Sequence, residues 1–230
     1  MVRRYKKRSH ISDAKIREIL KCFCLDLTAT NTAKFTGVSR PTINTYFDRF
    51  RKIILYSTET ESSQKTFEYG TFELDESYFG AKRVRGKRGR GAAGKTPVFG
   101  VLKRDNNKVF VKVVENCSKA ELMPIIQGKI LESSIVHTDG WKAYDGLILN
   151  GYDHYRVFHS HNEFARGKCH VNGIESFWSY CKRRLSKFNG LSEEKFILHL
   201  KECEFRWNNK SNNIYKILLD LLRMLNAKVI

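Results

Sequence analysis

Apolar residues recur at helical spacing near the start of the chain. Ile16, Ile19, Leu20 and Phe23 follow Ser12, and Ile43, Tyr46, Phe47 and Phe50 follow Ser39, with Pro41 in the first turn. Each run predicts an amphipathic helix, the second behind a hydroxyl N-cap at Ser39. A shorter helix from Thr30, closed by a turn at Gly37, is expected between them. At Thr71 the period changes to two. Phe72, Leu74 and Tyr78 alternate with Glu73, Asp75 and Ser77 as far as Phe79, which predicts a strand packed on one face and carrying Asp75 on the other.

Pro97 to Leu102 and Lys108 to Val114 flank Asp105-Asn106-Asn107, the signal of a hairpin. Ser118-Lys-Ala-Glu121 matches a capping box and predicts a helix through about Ile130. A short strand at Ile135-Val136 leads to Asp139, followed by a helix around Lys142 to Leu149 and a strand at Tyr155 to Phe158. Helical patterns then run over Val171 to Leu185, Ser192 to Trp207 and Ile214 to Ala227. Three antiparallel strands, helix, strand, helix, strand and helix make an α/β fold with a mixed sheet and helices on its faces. A small all-α region precedes it. The polar, aperiodic residues 57–66 read as a linker. The expected division is a basic arm and helical domain at 1–56, the sheet domain at 67–210 and a C-terminal helix at 211–230.

Charge gives this outline a partner. Lys and Arg number 42 against 24 Asp and Glu, a formal net charge of +18, and a polyanion is the natural counterpart. The first ten residues form a basic arm with little apolar content. Short helix, Gly turn and capped helix read as a helix-turn-helix in which Arg40, Thr42, Asn44, Thr45 and Arg49 face double-stranded DNA; an ordinary three-helix packing module is the alternative. Between Gly80 and Lys95 lie glycines and seven cations, including Lys82, Arg83, Arg85, Lys87, Arg88 and Arg90. The order of a nucleotide-binding P-loop is missing there, so the segment reads as a loop contacting DNA phosphates, against the plainer alternative of a solvated loop. No apolar run approaches a membrane span and no signal peptide is evident, so the expected setting is intracellular and DNA-associated. The six cysteines include no CxxC pair. Even with Cys169, His170, His159 and His161 close in sequence, the spacing of a structural zinc site is absent, and reduced, packed thiols are expected.

Three carboxylates carry the candidate chemistry. Asp75 sits within the first strand, Asp139 ends the fourth at a Gly turn, and Glu175 opens a long helix, with 63 and 35 residues between successive acids. Only a tertiary fold brings such positions together. Once together they suit hard divalent cations, and two cations held by carboxylates can neutralise a phosphate, activate an attacking oxygen and stabilise a leaving one. Asp145 and Asp153 are alternatives for Asp139. Asn172, Glu175 and Lys182 share one side of the helix. Asn172 is placed to orient Glu175 or a metal-bound water, and Lys182 and Arg183 to hold phosphate. Trp141, Phe177, Trp178 and Trp207 read as core.

The segments Glu73-Leu-Asp-Glu-Ser-Tyr-Phe-Gly-Ala-Lys82, His137-Thr-Asp-Gly-Trp-Lys-Ala-Tyr144, His170-Val-Asn-Gly-Ile-Glu-Ser-Phe-Trp178 with Lys182-Arg183, and Glu204-Phe-Arg-Trp-Asn208 jointly resemble the small insertion-sequence DDE transposases of the ISXO type and their Merlin-like relatives. The likeness runs from about Phe72 to Lys210. It implies a ribonuclease-H-like catalytic domain with Asp75, Asp139 and Glu175 as the matching acids. Many members begin with a Cys-rich zinc ribbon; this sequence opens on the helix-turn-helix pattern, and no zinc role is carried over. The implied function is a transposase that cleaves at the ends of its element and joins the 3′-hydroxyl to target DNA. It would use two Mg²⁺ or Mn²⁺ ions per site and act as a homo-oligomer assembled on DNA. The alternatives are a non-catalytic DNA-binding regulator and a nuclease of the same fold.

Overall fold

In the computed structural model, residues 11–64, 66–80, 95–139, 144, 146–157, 170–188 and 190–225 are described. The elements run α1 (Asp13–Cys24), α2 (Ala29–Thr36), α3 (Arg40–Gln64), β1 (Thr71–Gly80), β2 (Lys95–Lys103), β3 (Lys108–Val113), α4 (Lys119–Lys129), β4 (Ile135–Asp139), β5 (Asp153–Val157), α5 (Asn172–Leu185), α6 (Glu193–Asn208) and α7 (Ile214–Leu225). They form two units, Met1–Glu61 with Ser192–Ile230, and Ser62–Leu191.

The first unit is all helical. Ser12, Thr28, Ser39 and Ser192 each accept a backbone N–H three residues on, at 3.2–3.4 Å, so the hydroxyls satisfy donors that a helix N-terminus leaves unpaired. Gly37 closes α2 in the left-handed region, at φ 70°. Ile16, Ile19, Leu20 and Phe23 of α1 and Ile43, Phe47 and Phe50 of α3 bury against Phe205 of α6 and Leu218 and Leu222 of α7. Helices from both ends of the chain therefore share one core, and the expected boundary near residue 210 falls instead at residues 191 and 192. The expected linker at 57–66 also differs, because α3 continues through Gln64. Neither Gly nor Pro occurs between Arg51 and Tyr69, Thr58 is buried, and the hydroxyls of Thr58 and Thr60 bond back to the carbonyls of Leu55 and Tyr56. A polar run without a breaker can remain helical.

The second unit is built on a five-stranded sheet of order β3-β2-β1-β4-β5. The first three strands are antiparallel, while β4 and β5 add in parallel on the other side of β1. This is the ribonuclease-H-like arrangement. Phe72, Leu74, Val101 and Val136 face a core completed by Leu122 and Ile126 of α4. Ser118 stands at the N-cap of α4 but its hydroxyl makes no cap bond; its carbonyl accepts instead from Glu121 and Leu122. The helix expected over Lys142 to Leu149 is described only in part, and there a 3-10 turn covers Ile148–Asn150.

Candidate active site

Strand alternation sorts β1 into two working faces. Phe72 and Leu74 enter the core, which turns Glu73, Asp75 and Ser77 to the opposite face of the sheet. Parallel pairing sets Glu73 beside His137 and Leu74 beside Thr138. One residue further along both strands stand Asp75 and Asp139, on that same face. Glu175 is exposed in the first turn of α5.

The three acids share one electrostatic environment. The Asp75 carboxyl is pushed up to about 6, first by burial and then by the Asp139 carboxylate, with Glu175 adding to both. The Glu76 backbone N–H and the Trp178 indole act in the opposite direction. Among the described residues, no three His, Cys, Asp or Glu side chains are close enough to hold an ion as they stand. The donor chemistry nonetheless fits a hard divalent cation, since all three groups offer carboxylate oxygen and the crowding felt at Asp75 is what a cation relieves.

Helix α5 is seated by residues the sequence reading did not assign. Its N-cap, Val171, offers no side-chain acceptor. Glu73, 1 % exposed, supplies one instead: Oε2 accepts the Ile174 N–H at 2.8 Å and Oε1 accepts Arg104 Nε at 2.7 Å. The Arg104 guanidinium also donates to the carbonyl of His170. Close approach requires Gly173, where a Cβ would fall 2.8 Å from Glu73 Oε2. One turn along, Trp178 Nε1 donates to Asp75 Oδ2 at 3.1 Å. Its ring crosses Gly100, the cross-strand partner of Asp75, where a Cβ would lie 2.5 Å from the indole. Phe177 and Trp178 are buried as expected, but Trp178 does more than fill space. The available signals were a glycine inside a strand, which marks close approach, and the need of a buried indole N–H for an acceptor.

His137 is buried, stacks on Tyr155 with ring centroids 5.4 Å apart, and has Nδ1 without a hydrogen-bond partner. Burial, followed by Arg104, His170 and His154, lowers its pKa to about 4, so it is neutral near pH 7. On the other face of β1, the buried Tyr144 hydroxyl donates to Glu76 and its pKa is raised well above the ordinary value, by burial and then by that carboxylate.

Of the other expected site residues, Asn172, Lys182 and Arg183 are exposed on α5. In the helical unit, Arg40 and Asn44 are exposed, while Thr42 and Arg49 are half-buried; burial lowers the Arg49 pKa. Lys82, Arg83, Arg85, Lys87, Arg88 and Arg90 lie outside the described residues, as do the basic arm, Trp141, Asp145, His159, His161 and Cys169. Asp153, the other alternative to Asp139, is exposed at the start of β5 beside Ile135, at the opposite end of β4 from Asp139. Among the described residues, Cys22, Cys24, Cys117, Cys181 and Cys203 form no disulfide. Among the described residues, no helix is long and apolar enough to cross a membrane.

A mixed sheet of this topology, with acids on the face under α5, defines a ribonuclease-H-like domain. Residues 69–208 match the family model of the ISXO2-like transposase domain, and the chain belongs to that family. It is 47% identical over 102 residues to an uncharacterized transposase-like protein of Haemophilus influenzae, covering 44% of this chain and 82% of that protein. It is 31% identical over 152 residues to an uncharacterized protein in transposable element ISH50 of Halobacterium salinarum, covering 60% of this chain and 52% of the relative, about half its length. Among solved structures, the catalytic core domain of BIV integrase overlaps with a TM-score of 0.42 at 14% identity, covering 68% of this chain and 98% of that one. The HTLV-2 integrase catalytic core in complex with magnesium overlaps at 0.37 and 10%, covering 62% and 87%. At such scores the likeness adds nothing to the topology already described.

Proposed function

We propose that this chain is a metal-dependent DNA transposase that cleaves at the ends of its mobile element and joins the freed 3′-hydroxyl to target DNA. The observation that carries the reading is the parallel register of β1 and β4, which brings Asp75 and Asp139 to neighbouring positions on the face of the sheet under α5, where burial and then the charges of Asp139 and Glu175 raise the Asp75 carboxyl. Asp75, Asp139 and Glu175 would hold two Mg²⁺ or Mn²⁺ ions, which supply Lewis-acid stabilisation of charge on a phosphodiester. Asn172, three residues before Glu175, steadies that carboxylate from outside the ligand set. Lys182 and Arg183 hold the DNA backbone as charges on the exposed side of α5.

Arg40, Thr42, Asn44 and Arg49 read the element ends, and the cations from Lys82 to Arg90 grip the phosphates of any duplex. The protein works as a homo-oligomer assembled on DNA, with both element ends and target DNA as partners. Asp139→Asn tests the reading. It should abolish Mg²⁺- or Mn²⁺-dependent cleavage while leaving folding and DNA binding intact, and full cleavage by that variant refutes it. Joined products in a strand-transfer assay separate a transposase from a nuclease that only cuts.

A further inference from the structure

We infer that Glu73 and Trp178 form a two-point latch between β1 and α5, and that both are positioning residues which fix the separation of Asp75 and Glu175. The inference rests on the metal-site reading above and deepens it.

The latch follows from strand and helix periods acting together. Glu73 and Asp75 are two apart on β1 and face α5 on the same side. Ile174 and Trp178 are four apart on α5 and face β1 on the same side. Ile174 N–H meets Glu73 and Trp178 Nε1 meets Asp75, so each helical turn is pinned to a successive inward position of the strand. Glu175 lies between the two pins. It moves with them.

Each pin is also enforced from behind. Glu73 commits one oxygen to Ile174 and the other to Arg104, so it serves as a cap rather than as a further ligand beside Asp75. Gly173 allows the helix to descend onto it. The Trp178 ring is held edge-on against Phe79, at 6.0 Å between centroids, and in a tilted contact with Phe177 at 5.2 Å. It lies over Gly100 because any side chain there would occupy its place. The indole therefore holds Asp75 through Oδ2. Phenylalanine at 178 would keep much of the packing and remove the N–H.

The test is Mn²⁺ binding to the DNA-free full chain, read from the free-ion electron paramagnetic resonance signal, with thermal unfolding measured in parallel. Wild type should bind, Asp139→Asn should lose binding, and Trp178→Phe should bind about 10-fold more weakly, the loss typical of an outer-shell partner. Gly100→Ala, which displaces the same indole while retaining it, should give a similar loss and carries the test should Trp178→Phe fail to fold. Wild-type affinity in either folded variant, alongside lost binding in Asp139→Asn, overturns the latch and leaves the metal site standing. Unchanged binding in Asp139→Asn overturns the metal-site reading and the latch with it.

Discussion

Asp75 shows how burial and charge act on a single residue. Its carboxyl is raised to about 6 from an ordinary 3.8, so the folded chain holds that proton more tightly than the unfolded chain does. The sign follows from linkage: the stability contributed by this group falls as pH rises from about 4 to about 6, and the cost persists above that. A shift of this size corresponds to about 3 kcal/mol at most. Asp75→Asn should therefore stabilise the metal-free protein by about 1–3 kcal/mol at pH 7. The gain should vanish near pH 4, as thermal unfolding in chelator at the two pH values would reveal. Added Mg²⁺ should narrow the difference, because it stabilises the wild-type site alone. At Asn172, exposed in the first turn of α5, substitution by Ala should slow cleavage about 10–100-fold, whereas Glu175→Gln should remove it. Equal losses with the same metal dependence would mean that this side of the helix does not look into the site.

Elements in the helical unit are joined by buried charge. Glu202 is 0 % exposed and accepts from Arg51 Nε of α3 and Arg206 Nε of α6, each at 2.8 Å. The Arg206 guanidinium also donates to the carbonyls of Phe23 and Cys24 at the C-terminal end of α1, where a cation suits both the unpaired acceptors and the helix dipole. Three helices thus converge on one carboxylate. Removing a buried charge that compensates two others costs about 3–5 kcal/mol, so Glu202→Ala should lower the denaturant midpoint by that equivalent. A change below about 1 kcal/mol would show that water reaches the arginines and makes good the loss. Arg206 belongs to the Glu204 to Asn208 segment that carries part of the family resemblance, and its part in this structure is to hold α1, outside the sheet unit.

For the whole molecule, the shared helical core changes how DNA reading is tested. Deleting residues 1 to 56 would strip α1 and most of α3 from Phe205, Leu218 and Leu222, so lost selectivity in such a truncation would report unfolding as readily as lost contacts. Arg40→Ala and Asn44→Ala change exposed positions of α3 and avoid that cost. Together they should abolish preference for element ends over unrelated duplex while nonspecific binding persists. Neutralising the cations from Lys82 to Arg90 should weaken binding to every duplex and reduce the slope of affinity against salt. Binding titrations at several salt concentrations distinguish the two effects, and unchanged end preference in the double variant would rule out α3 as the reading helix.

Local rules made much of this protein legible in advance. The period-two alternation from Phe72 to Ser77 placed Asp75 opposite the core, the hydroxyl cap at Ser39 announced α3, and the hairpin, the α4 segment and the strand leading to Asp139 followed from turn residues and apolar runs. These features depend on neighbours a few positions away, which the sequence displays directly. The linker and the domain boundary were not legible, because a polar segment becomes helix or loop according to what its flanks bury, and the partners of α3 lie some 150 residues further on. The seating of α5 belongs to the same class. Glu73 becomes a helix cap, Gly100 a cradle and Trp178 a carboxylate partner only once a strand and a helix separated by about a hundred residues are packed together, since hydrogen bonds and van der Waals contact act over a few ångströms in space and take no account of distance along the chain.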